Sequence, residues 1–284
     1  MQKCFLSIGL VWLLFACSNK ARQENIITVT IEPQRYFAGQ LADSLFRIEC
    51  MVPAGTSPET YDPTPAQMAN LARSKAYFCI GHIGFEEVWI DKLKQNYPQI
   101  PFFDNSSGIP LITGHFHAGS HPHEQGIDPH TWSSPKAARL IVQNMYTALV
   151  EIDSSNGEKY AANLGRLLEK IDSVDESVAR ILSNSSQKAF IIYHPALTYF
   201  ARDYGLTQYS IETDGKEPSP EQLKTLIETA KEKGIKTVFV QQEFDRKNAE
   251  LVAKETGCRL IVINPLSYDW EKEMLHIAQA LSDE

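Results

Sequence analysis

The chain has no apolar run long enough to cross a bilayer. Its most hydrophobic stretch, residues 5–16, falls well short of the roughly 20 residues that a spanning helix requires. Basic residues are in deficit: 27 Lys and Arg against 35 Asp and Glu leave a net charge of −8. That balance argues against a nucleic-acid partner. Cysteine is scarce as well. Beyond Cys4 and Cys17 there are only Cys50, Cys79 and Cys258. This odd number excludes a complete disulfide framework. No two of them lie at the close spacing of a zinc–thiolate motif. Cys50 and Cys79 sit in short apolar segments that read as buried strands, where cysteine acts as a small hydrophobe. There is also no His-Glu-x-x-His pair and no nucleophile motif, which weighs against hydrolytic chemistry.

What is present begins at the amino terminus. Lys3 precedes the apolar run, and Leu14-Phe15-Ala16-Cys17 closes it. This segment looks like a bacterial lipobox. It implies that residues 1–16 are a signal peptide and that Cys17 receives the lipid. Residues 17–25 then form a tether to a membrane surface. A plain cleaved secretory signal is the alternative, and both place the protein in the cell envelope, outside the cytoplasm.

The 284 residues suit two domains. In residues 26–150, strand signals (26–31, around Cys50, around Cys79) alternate with helix signals (65–74, 85–96, 135–150). Residues 187–284 restart the alternation. Strands are indicated at 189–193, 237–240 and 259–263, and helices at 195–204, 220–233, 246–256 and 270–281. Such alternation predicts parallel sheets covered by helices on both faces. Between the halves, residues 156–184 hold no proline. Leu164, Leu167, Leu168, Ile171, Val174, Val178, Ile181 and Leu182 recur there at helical spacing. One helix of roughly 40 Å would fit, although two shorter helices with a break would also satisfy the pattern. The expected fold is α/β: two Rossmann-like lobes joined by one long linking helix over residues 151–186, with the ligand in the interlobe cleft.

Histidine placement gives that cleft its chemistry. His115, His117, His121 and His123 crowd into nine residues, and His130 follows within Gly126-Ile127-Asp128-Pro129-His130-Thr131-Trp132-Ser133-Ser134-Pro135. Imidazole is the commonest side-chain metal ligand, and a Pro-bounded turn fixes its direction. Ligands in open α/β sheets bind beyond the carboxyl ends of strands. His194 stands there, after the strand at 189–193, and Glu59 lies beyond the strand around Cys50. A polar surface loop is the alternative for the His-rich stretch.

These segments, with Val52-Pro53-Ala54-Gly55, Tyr193-His194-Pro195-Ala196, Glu217-Pro218-Ser219-Pro220 and residues 249–257, resemble in order and spacing the metal-specific solute-binding lipoproteins of bacterial ABC importers. That zinc/manganese group includes the adhesin-type receptors, and the resemblance covers nearly the whole mature chain. It implies ligand positions for His130 and His194, and a metal-collecting role for the His-rich loop. Glu59 stands where the family usually has a histidine. Asn264-Pro265-Leu266 stands where members with an acidic fourth ligand have an Asp. Glu212 matches a glutamate of the manganese type, allowing a one-residue gap. The implied metal set is Glu59, His130 and His194, with Glu212 or Asn264 completing it. Two imidazoles and one or two carboxylates suit zinc, with manganese or ferrous iron as alternatives. The implied function is capture of that cation by a monomer and delivery to an ABC permease through a small closing motion that the long helix restrains. A zinc-dependent hydrolase, or an adhesin or storage lipoprotein without a transporter, are the competing classes.

Overall fold

Strand β1 (Ile26–Val29) is buried along its whole length, as a central strand covered on both faces must be. The computed structural model describes residues 25–114, 126–212 and 215–282. In the first lobe, β1 is followed by α1 (Glu32–Ala42), β2 (Arg47–Cys50), α2 (Pro65–Leu71), β3 (Ala76–Cys79), α3 (Gly84–Asn96) and β4 (Phe102–Asp104). The strands form a parallel sheet in the order β2-β1-β3-β4. A short hairpin, β5 (Thr113–Gly114) with β6 (Gly126–Ile127), precedes α4 (Pro135–Ile152).

The linking helix α5 (Gly157–Ser183) is unbroken and 27 residues long. Its buried face comprises Tyr160, Asn163, Leu167, Ile171, Val174, Val178 and Leu182. The second lobe contains β7 (Ala189–Ile192), α6 (Thr198–Tyr204), β8 (Thr207–Ser210), α7 (Pro220–Glu232), β9 (Thr237–Gln241), α8 (Lys247–Thr256), β10 (Arg259–Ile263) and α9 (Trp270–Ala280). Its parallel sheet runs β8-β7-β9-β10, the same strand order as the first lobe. The α/β expectation and the long joining helix therefore hold. One continuous apolar core reaches from Ile27 and Phe78 through α4 and α5 to Phe190, Phe239 and Trp270. No described helix is long and apolar enough to cross a membrane.

Several helix starts follow from one local device. Thr64, Ser134 and Ser219 each accept a hydrogen bond from a backbone N–H in the first turn, and proline occupies the first helical position after each. Two expectations need adjustment. Cys50 lies on edge strand β2, which is half-buried, so that strand is not a buried one. Helix α6 begins at Thr198 rather than at Pro195. The Gln241 side chain accepts from the His194 N–H and donates to the His194 carbonyl at 2.6 Å, and this clamp holds residues 194–197 out of a helical path. Cys50, Cys79 and Cys258 are free thiols.

Candidate metal centre

Three loops supply the site. The Asp128-Pro129-His130 turn is fixed by Asp128, whose Oδ1 accepts from both the His130 backbone N–H and ring Nδ1, each at 2.8 Å. Trp132 packs beside the imidazole at 5.2 Å between ring centroids. Burial alone would raise the Asp128 carboxyl, but the His130 ring and the hydrogen bonds it receives hold it below its ordinary value. His194 follows β7 directly, and its Nδ1 meets Glu212 Oε1 at 2.7 Å. His130, His194, Asp128 and Glu212 are all buried.

Each carboxylate only accepts, so both Nδ1 atoms carry the proton and both Nε2 atoms present lone pairs. The structure brings those Nε2 atoms to 3.0 Å from each other. Two lone pairs held face to face in a buried site repel unless a cation or a proton lies between them. Nitrogens bound to one tetrahedral zinc at about 2.0–2.1 Å would sit roughly 3.3 Å apart, close to what is found. A carboxylate oxygen of Glu59 completes the group, with all three ligand atoms within 4.8 Å of one another.

Glu59 comes from the loop between β2 and α2 and is held by Gly84. The Gly84 N–H donates to Glu59 Oε2 at 3.2 Å. A Cβ on Gly84 would lie 2.6 Å from that oxygen and 2.8 Å from the Glu59 carbonyl. Gly84 therefore permits a close approach that any side chain would forbid. Substitution Gly84→Ala should push the Glu59 loop away. We expect a stability loss of about 1–3 kcal/mol and weaker zinc binding by competition with a chelator. Unchanged zinc affinity in a folded Gly84→Ala protein would show that Glu59 does not need this seat.

The sequence-predicted residues divide in four ways. Glu59, His130 and His194 converge. Glu212 lies behind the His194 ring, on the nitrogen facing away from His130, which suits it to orienting the imidazole rather than to direct ligation. Asn264 follows β10. Its Oδ1 is buried without a hydrogen-bond partner among the described residues, and its neighbours Pro265 and Leu266, though not Asn264 itself, line the cavity. His115, His117, His121, His123 and Cys17 lie outside the described residues. Sequence reasoning missed Glu243, which lines the same cavity with Glu59, His130 and His194. It stands just past the end of β9, but only the strand order that sets β9 beside β7 brings it to His194. The cavity holds about 20 Å³, enough for a bare ion or a water.

Two parallel-sheet lobes on a long helix thus bring two imidazoles and a carboxylate together at one small cavity. The chain belongs to the ZnuA family, described as zinc-uptake complex component A, periplasmic, whose model matches residues 27–283. It is 29% identical over 282 residues to the zinc-binding lipoprotein AdcA of Streptococcus pneumoniae, covering 94% of this chain and 56% of that protein. It thus spans little more than half the length of the streptococcal relatives it matches. The high-affinity zinc uptake system protein ZnuA of Bacillus subtilis is 28% identical over 285 residues, covering 93% of this chain and 86% of that one. The crystal structure of a zinc-bound deletion mutant of ZnuA superposes with a TM-score of 0.84 at 36% identity, covering 92% of this chain and 99% of that one.

Proposed function

We propose that the protein is an extracytoplasmic receptor that captures zinc between its lobes and delivers it to an ABC permease, acting as a monomer tethered through a lipid on Cys17. The observation that carries this is the pair of Nε2 lone pairs from the two halves of the chain, 3.0 Å apart and each fixed by a buried carboxylate behind it. The cavity that these residues line, about 20 Å³, has room for a single ion. Zinc is cargo here. His130, His194 and Glu59 hold it, and Asp128 and Glu212 orient the rings. The lobes are taken as residues 26–150 and 187–284 with the helix of 151–186 between them, and the family resemblance gives the His-rich loop a collecting role. Manganese or ferrous iron would satisfy the same donors. Zinc is favoured by the names of the relatives.

The test is zinc affinity as a function of pH. Burial alone would lower the pKa of His194, but the hydrogen bond and charge of Glu212, reinforced by Glu59 and Asp128, raise it above its ordinary 6.5. A proton on Nε2 blocks the metal. In the metal-free protein the protonated ring contributes stability at low pH that is lost as pH rises through the raised pKa. The loaded protein needs the neutral ring. Zinc affinity should therefore fall by about tenfold per pH unit once pH drops below that raised value. The loss should begin above the ordinary histidine range. Equal affinity at pH 5 and pH 7.5 would remove the imidazoles from the site.

A further inference from the structure

We propose that Glu243 is the fourth metal ligand, closing the coordination shell from the second lobe. This deepens the receptor reading above and rests on it. The second sheet runs β8-β7-β9-β10, so β7 and β9 are the neighbours at which the strand order reverses, and ligands bind beyond the carboxyl ends of such a pair. His194 follows β7, and Glu243 lies two residues past the end of β9.

The loop that carries Glu243 is tied to the ligand histidine on both sides. Gln241 clamps the His194 backbone. Phe244 stacks on the His194 ring at 5.2 Å between centroids and 15° between planes. Glu243 lines the cavity together with Glu59, His130 and His194. Its Oε2 is buried with no hydrogen-bond partner among the described residues, although buried polar atoms are nearly always paired.

Asn264 is the competing donor, with an orphaned Oδ1 of its own. It does not line the cavity, and a neutral amide offsets none of the charge of a buried dication. Glu59, His130 and His194 already lie within 4.8 Å of one another; Glu243 stands outside that trio on the same cavity, and its carboxylate moving in on an ion would give two imidazoles and two carboxylates, a four-coordinate set for zinc.

The experiment compares metal-free wild type, Glu243→Gln, Glu243→Asp, Asn264→Ala and His194→Ala. Zinc affinity is read by chelator competition, Co²⁺ ligand-field bands report geometry, and zinc X-ray absorption counts oxygen neighbours. Melting curves confirm that each variant folds. Glu243→Gln should weaken zinc by at least about tenfold, the lower bound typical of groups that merely support a ligand. It should also change the Co²⁺ bands and remove one oxygen neighbour. Glu243→Asp should recover part of the affinity, and Asn264→Ala should match wild type. A Glu243→Gln protein with wild-type affinity and spectra would overturn the assignment, as would the spectral change appearing in Asn264→Ala instead. Equal zinc binding by wild type and His194→Ala would bring down the receptor reading itself, and this proposal with it.

Discussion

His194→Ala should abolish the stabilisation that zinc gives. A ligand that binds only the folded state adds about 4 kcal/mol when present at a thousand times its Kd. In a chain of this size each kcal/mol is worth roughly 2–4 °C in Tm. Wild type should therefore melt on the order of 10 °C higher with excess zinc than after chelation. His194→Ala removes one Nε2 and leaves Glu212 buried without the ring it orients. His130→Ala does the same to Asp128. Each variant should melt at one temperature with and without zinc. His276→Ala is the control, because that ring sits on α9, where its Nε2 meets the Val262 carbonyl, and it does not line the cavity. It should keep the full zinc shift. A zinc shift that survives in His194→Ala would place the ion elsewhere, and the 3.0 Å approach of the two rings would then be only a packing feature.

The histidines were legible in the sequence because each sits beside a proline in a turn that can hold it in only a few ways. Asp128-Pro129-His130 supplies both the rigid backbone and the carboxylate for the ring. The central strands were legible for a comparable reason. Residues 26–29, 189–192 and 237–241 are apolar, largely β-branched or aromatic, and almost wholly buried, so they give continuous signals. Strands β4 and β8 lie at sheet edges and are half-exposed. Their mixed composition hides them. The role of Glu212 and the presence of Glu243 were not legible, because both depend on which strands lie side by side. Sequence indicates that a residue follows a strand. Only the order β8-β7-β9-β10 places the residues after β8 and β9 on either side of His194.

Trp270→Ala should be the most damaging single substitution away from the cavity. Trp270 opens α9, is 1% exposed and packs edge-on against Phe37 of α1 at 5.1 Å. Its indole N–H donates to the Trp132 carbonyl at 2.7 Å. The Trp132 indole in turn donates to the Pro265 carbonyl at 2.9 Å. Trp132 is the ring beside His130, so the chain of contacts runs from the last helix to a metal ligand. Emptying this position should cost about 3–5 kcal/mol, seen as a large fall in Tm for the metal-free protein. Trp270→Phe separates the two contributions. It keeps most of the packing and leaves only a buried carbonyl unpaired, worth about 1–3 kcal/mol. If Trp270→Ala costs under about 1 kcal/mol, the core can collapse around the vacancy, and the turn holding His130 does not depend on α9. If both variants cost the same, the hydrogen bond rather than the packing carries the connection. The expected ordering, with alanine much worse than phenylalanine, would mean that His130 is held from behind by the same apolar core that joins the two lobes. The two imidazoles would then owe their aim to the core behind them as well as to the carboxylates at their Nδ1 atoms.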